Sequence, residues 1–339
     1  MRKRKCGQSI LLALVACIAV SISQAATADQ KLLPLVPPGA QVVARISSAP
    51  PGAMGHYVLI PHKSRINFGD FLALTGADST LVVDQLIYVA TTDRDGMLNE
   101  HSLLANGNFD RERIYGSAVG GGASVTRYRG LPVLVVQPFA RERNEFNDNE
   151  VRWLAIPDSN ILLFGSVASV RYELDRHLDR STADPRLVAK LARLRRDDNC
   201  WSVLSLHTWT SDLREALAAL NPKLAELLKD GDTLQFGVHY GRKIEFEYEV
   251  TTASSHPAVA MSASLTQPLT GLEKESALFR SADAISEGNT VHSTVKVSIA
   301  QYNAWLTKVL ARGRGKNTTS QLMRWHGQRG RASISALQQ

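Results

Sequence analysis

The chain has 339 residues, 44% of them apolar, 21% charged and 6% aromatic, with three cysteines and a formal net charge of +7. That length suits two average domains or one large one, the composition is too polar for a protein with many membrane spans, and three cysteines cannot staple a fold of this size. Of 39 bases, four lie in Arg2–Lys5 and eight follow Glu287, where no acid occurs, which leaves 27 bases against 32 acids in the body. The positive charge therefore belongs to the two ends, and the acidic body excludes reading the whole chain as a nucleic-acid binder from its pI.

The N-terminus has the order of an export signal: the basic residues Arg2–Lys5, an apolar stretch from Ile10 to Ile22, then Ser23-Gln24-Ala25-Ala26-Thr27-Ala28 with small residues suited to cleavage after Ala25 or Ala28. The apolar stretch falls short of the roughly 20 residues that a permanent span needs. A competing reading lies within it. Leu14-Val15-Ala16-Cys17 resembles a bacterial lipobox, which makes Cys17 a lipidation candidate, although Ile18, Ala19 and Val20 continue the apolar run where a lipoprotein usually turns polar. Residues 1–28 are thus expected to be a secretory signal, and plain cleavage leaves Cys200 as the sole cysteine of the mature chain.

After a Pro-rich lead (Pro34, Pro37, Pro38), strands are predicted at Gln41–Ile46 and His56–Ile60, and Asn67 caps a short helix. Gln85–Thr91 and Glu100–Asn106 read as two strands of a hairpin through Asp93-Arg94-Asp95-Gly96. Asp110 opens a helix that Gly120-Gly121-Gly122 stops, and strands follow at Ser124–Tyr128, Pro132–Gln137, Val151–Ile156 and Asn160–Gly165. Val167, Val170, Leu174 and Leu178 form one stripe of an amphipathic helix. Asp184 followed by Pro185 opens another, whose end carries Arg193, Arg195 and Arg196, suited to the negative end of the helix dipole.

The second half restarts with a strand at Trp201–His207 and a helix capped by Ser211 that runs toward Leu228. Thr233–Tyr240 and Ile244–Thr252 form the clearest hairpin, followed by a helix over His256–Leu272, a polar linker over Glu273–Gly288, a strand at Thr290–Ser298 and a last helix stopped by Gly313. The order predicts an α+β fold of two tandem units, 29–180 and 181–312, each an antiparallel sheet with helices packed on one face. One larger mixed sheet is the alternative.

Three stretches carry a resemblance: LPLVPPGAQVVARI in Leu33–Ile46, VTRYRGLPVLVVQPFARER in Val125–Arg143, and LQFGVHYGRKIEFEYEVTTASS in Leu234–Ser255. The chain resembles exported proteins of soil bacteria that carry no assigned activity. The likeness implies export and supplies no ligand, cofactor or catalytic residue.

The sequence contains no G-x-S-x-G elbow, H-E-x-x-H pair, P-loop or G-x-G-x-x-G after a strand, and it points to no cofactor and no metal set. Asp93, Asp95 and Glu100 do not fit the spacing of a calcium loop, and Gly120–Gly122 follows a helix rather than opening one, so neither is read as a site. One arrangement stands out. In the Thr233–Thr252 hairpin Leu234, Phe236, Val238, Tyr240, Ile244, Phe246, Tyr248 and Val250 alternate onto one face, which puts His239, Glu245, Glu247 and Glu249 on the other. Pairing Tyr240 with Ile244 sets His239 directly across from Glu245. His239, Glu245 and Glu247 are the weak catalytic candidates, because stacked carboxylates beside a histidine can exchange protons or hold a cation. A solvated sheet face with a cross-strand ion pair is the plainer expectation.

These observations lead to the expectation of an exported, non-catalytic binding or structural protein of the bacterial envelope or periplasm, with a hydrolase-like enzyme using His239 as the alternative. Residues 313–339 form a basic tail too poor in apolar residues to bury a core, and disorder is expected of it. With Arg312 it presents Arg314, Lys316, Arg324, Arg329 and Arg331 as a patch for anionic lipid or envelope polymer, with nucleic acid an unlikely partner for an exported chain.

Overall fold

A strand buried along its whole length has to be covered on both faces, and Ile161–Ser166 in the first half is of that kind. The computed structural model describes residues 31–47, 82–92, 98–136, 151–194, 200–208, 228–240, 243–266 and 282–300. These residues form twelve strands: β1 (Val42–Ser47), β2 (Val82–Thr92), β3 (Leu98–Asn108), β4 (Ser124–Tyr128), β5 (Leu131–Val136), β6 (Arg152–Asp158), β7 (Ile161–Ser166), β8 (Cys200–Ser205), β9 (Gly231–Tyr240), β10 (Ile244–Thr252), β11 (Ala282–Glu287) and β12 (Thr290–Val297). Four α-helices accompany them among the described residues: α1 (Arg111–Gly120), α2 (Val167–Leu178), α3 (Pro185–Leu191) and α4 (Ser255–Thr266).

The strands make one antiparallel sheet in the order β11-β12-β10-β9-β8-β1-β2-β3-β7-β6-β5-β4. The mixture of helices and antiparallel sheet agrees with the predicted class. Strands of the two predicted units lie side by side, joined where β1 pairs with β8 through Val43↔Val203 and Ala44↔Ser202. The helices occupy both faces, which corrects the expectation of helices on one face. Register places Val43, Ile87, Val89, Leu104, Leu163 and Val203 on one side, packed with Val170 and Leu174 of α2, Leu187 of α3, and Leu32, Leu35 and Val36 of the N-terminal lead. Leu86, Tyr88, Ala90, Leu103, Leu162 and Phe164 lie on the other side, packed with Ile114 and Ala118 of α1. The physical reason is legible in β7, where all six residues from Ile161 to Ser166 are buried. A strand with no polar side needs two covers.

Local signals place the helices where expected. Asp110 Oδ1 accepts the Arg113 amide at 3.0 Å, and Asp184 Oδ1 accepts the Arg186 amide at 2.9 Å with Pro185 at the first helical position. Gly122, at φ +98°, turns the chain out of α1 so that the Ala123 amide donates back to Ala118 O. The β4–β5 turn places Arg129 at φ 49° and Gly130 at φ 86°. There the Arg129 guanidinium binds Asp175 of α2 and Asp179 just past its end, each at 2.9 Å, and the Tyr128 hydroxyl donates to Asp175 at 2.8 Å. The hairpin is thereby fastened to the helix across the sheet edge.

Two boundaries differ from expectation. The segment read as a linker, Glu273–Gly288, contains β11, whose alternation of Ala, Asp, Ile and Ser gives only a weak strand signal. The helix expected over His256–Leu272 is described only as Ser255–Thr266. The strand at His56–Ile60, the helices capped by Asn67 and Ser211, the last helix beyond Ala300, Arg195 and Arg196, the export signal with Cys17, and the basic tail with Arg312, Arg314, Lys316, Arg324, Arg329 and Arg331 lie outside the described residues. Among the described residues no helix is long and apolar enough to cross a membrane.

Candidate functional site: the polar face of strands β9, β10 and β12

The β9–β10 hairpin pairs Tyr240 with Ile244, so His239 stands directly across from Glu245, Gly237 across from Glu247 and Gln235 across from Glu249. On its other edge β10 pairs with β12, placing Lys296 opposite Glu245, Thr294 opposite Glu247 and His292 opposite Glu249. Since side chains alternate along a strand, all nine positions share one face, the same face that α2 and α3 cover over β1–β7. The opposite face carries Phe236, Val238, Ile244, Phe246, Val295 and Val297, which form a core with Cys200. Cys200 is a buried free thiol there.

The three glutamates are not equivalent. Glu249 is only 3% exposed, and one carboxylate oxygen accepts from Arg193 Nη1 and from Gln235 Nε2, both at 2.8 Å. Its other oxygen lies 3.2 Å from His292 Nε2 and makes no hydrogen bond. Arg193 comes from the turn after α3, so this carboxylate fixes the end of that helix to the polar face. Glu245 is half-buried and faces Lys296 Nζ at 3.5 Å. Beside them Lys190 of α3 donates to Thr233 Oγ1 at 3.2 Å, and burial lowers its pKa.

The predicted candidates His239, Glu245 and Glu247 thus share one face, with His239 and Glu245 a cross-strand pair. Glu245 and Glu249 each meet a basic side chain contributed by another element. Carboxylates so neutralised have less reason to share a proton or a cation than three bare ones would. Among the described residues no group of three or more His, Cys, Asp and Glu side chains is gathered as a metal would need. No protein-family model matches the chain, and no curated protein matches it. A solved structure, crystal form I of TP0453, is similar over 86% of this chain and 99% of that one, at 8% identity and a TM-score of 0.43.

Sequence reasoning missed Arg193 as a partner of Glu249, because a helix-end arginine has a ready local explanation and its real partner is 56 residues away. It also missed a second buried acid. Glu173 of α2 is fully buried beneath the helix, where the Ser102 hydroxyl of β3 donates to its Oε1 and Oε2 has no hydrogen-bond partner. Burial pushes its pKa up to about 8, against a smaller opposing effect of the Ser102 hydrogen bond. Glu173 adjoins Leu174 and stands three residues after Val170, at the margin of the apolar stripe, where spacing alone does not tell a buried carboxyl from an exposed one.

Proposed function

We propose that this chain is an exported, non-catalytic binding or structural protein of the bacterial cell envelope or periplasm, and that the polar face of β9, β10 and β12 is its binding surface. The observation that carries the reading is the ion-paired condition of that face. Glu249 is tied to Arg193 and Glu245 faces Lys296, which suits recognition of a polar or charged partner more than proton transfer. Export rests on the basic, apolar and small-residue order of residues 1–28, with Cys17 as the lipidation alternative. The tail arginines and lysine from Arg312 to Arg331 are proposed as a contact for anionic lipid or envelope polymer.

We further propose that the sheet is built from two tandem units, 29–180 and 181–312, joined edge to edge. The β1–β8 pair is the one described strand pair that crosses residue 180, which supports the division. Leu187 and Leu194 of the second unit pack in the core of the first, so the join is tight.

Subcellular fractionation with intact-mass measurement of the native protein tests the reading. Envelope material with a mature start at Ala26 or Asp29, or a lipidated Cys17, is the expected result. A cytoplasmic protein retaining Met1 overturns it. The register of His239 against Glu245 keeps one alternative specific, a hydrolase-like site on the same face. It requires hydrolytic activity that is lost when His239 and Glu247 are both replaced.

A further inference from the structure

We propose that Glu173 makes the docking of α2 onto the sheet sensitive to pH, fastening the helix in acid and loosening it as the carboxyl ionises. The geometry is that of a closed site. Ser166, Ser169 and Glu173 form a buried polar stripe along α2 beside the apolar stripe of Val170 and Leu174. Ser166 Oγ donates to Ser169 Oγ at 2.9 Å and accepts the Ser169 amide at 3.1 Å. Across from the stripe stand Ser102 of β3 and Gly165 of β7, which are register partners. A side chain at Gly165 would meet the His101 carbonyl and, at 2.8 Å, the Ser102 Cα, so only glycine lets these strands close beneath the helix.

No cation faces Glu173 from the described side chains packed against α2. The positions of β3, β6 and β7 on that side are Ser102, Leu104, Trp153, Ala155, Leu163 and Gly165, the N-terminal lead contributes Leu32, Leu35 and Val36, and the buried Arg45 of β1 shares the face two strands beyond Ser102, 6.0 Å from the Trp201 ring. Glu100 occupies the next position of β3 on that face, opposite Thr91, and its side chain lies outside the described residues. The charged groups of α2 itself are engaged elsewhere: Asp175 with Arg129, Arg176 with the carbonyls of Pro34 and Thr182, His177 near Asp158 at 3.8 Å, and Arg171 over the Tyr128 ring.

A neutral carboxyl leaves one orphaned oxygen in this site, whereas a carboxylate leaves an unpaired buried charge, which is far costlier. Lifting α2 exposes Glu173 to water and returns its ordinary pKa of 4.5, against about 8 when docked. Between those values opening releases a proton, so the opening equilibrium rises about tenfold per pH unit, and it levels off above the upper one. Acid therefore holds the helix down most firmly, and the opening equilibrium rises toward neutral and alkaline pH.

Hydrogen exchange of the full chain at pH 5, 6, 7 and 8, corrected for intrinsic rates, tests this, with α1 and α4 amides as internal references and Glu173→Gln as the comparison. The expected result is α2 protection falling about tenfold per pH unit in the wild type, little change in α1 and α4, and a flat profile for α2 in E173Q. Flat α2 protection in the wild type overturns the proposal, as does an equal fall in α1 and α4, which marks global unfolding. Should E173Q not fold, a ¹³C carboxyl titration of the wild type decides: a Glu173 midpoint below pH 5 overturns the proposal, and one above pH 6.5 supports it.

Discussion

The two wings of the sheet solve the same problem in opposite ways. Around β7 both faces of the sheet are apolar, and α1 on one side and α2 with α3 on the other remove them from water. Toward β12 only one face is apolar. The other carries His239, the three glutamates, His292 and Lys296, where Lys296 faces Glu245 across the strands and Arg193 reaches Glu249 from the turn after α3. Stability is therefore expected to concentrate in the first wing, and sites free to vary in chemistry in the second. The wings meet at β1 and β8, where Trp201 and Val203 still join the large core and Arg45, only 2% exposed, stands 6.0 Å from the Trp201 ring.

The largest effect that tests this contrast is expected from Leu163→Ala. Leu163 is fully buried in the core under α2, and its truncation should reduce stability by about 3 kcal/mol in denaturant unfolding of the mature protein. A loss below 1 kcal/mol, on the order of a surface substitution, would mean that the helical cover of this wing is loose.

The next effect carries a sign that changes with pH. Glu173 binds a proton in the folded chain that the unfolded chain releases between pH 4.5 and about 8. Its contribution is least unfavourable below that window, worsens as pH rises through it and is constant above. Glu173→Gln should stabilise the protein at pH 7, by up to about 3 kcal/mol, and leave it little changed at pH 4.5. Equal effects of the substitution at both pH values would contradict a neutral buried carboxyl.

On the polar wing the expected effects are smaller. Arg193→Ala leaves the buried Glu249 with Gln235 and His292 alone and should reduce stability by about 1–2 kcal/mol, a value held down because Arg193 is 53% exposed. Lys296→Ala removes the exposed partner of Glu245 and should change stability by no more than about 0.5 kcal/mol in the same assay. Reversal of that order would place the stronger ion pair at the outer strand and break the contrast as drawn.

How much of this was legible in the sequence depends on how local the determinant is. The β9–β10 register, the separation of His239 and Glu245 from the apolar face, the Asp110 and Asp184 caps and the glycine stop of α1 follow from spacing and turn chemistry alone. The two-sided cover of β7 was legible as an unbroken apolar run, yet it was read as a one-faced sheet. The order of elements suggested helices on one face, and that does not hold for β2, β3 and β7, which are covered on both. What was not legible depended on partners distant in sequence: Glu173 with Ser102, Glu249 with Arg193, and the β1–β8 seam. No short-range pattern distinguishes a solvent-facing glutamate at a helix margin from a buried one. Weak alternation made β11 look like a linker.

The most direct test of a binding surface without catalysis compares the mature wild type with the His239→Ala/Glu247→Gln double variant across ester, amide, glycoside and phosphoester substrates. The account predicts that both proteins turn over nothing above the uncatalysed rate while sharing one unfolding midpoint to within a few degrees. Hydrolysis of any one class by the wild type, abolished in a double variant that remains folded, would contradict it and make the polar face an active site.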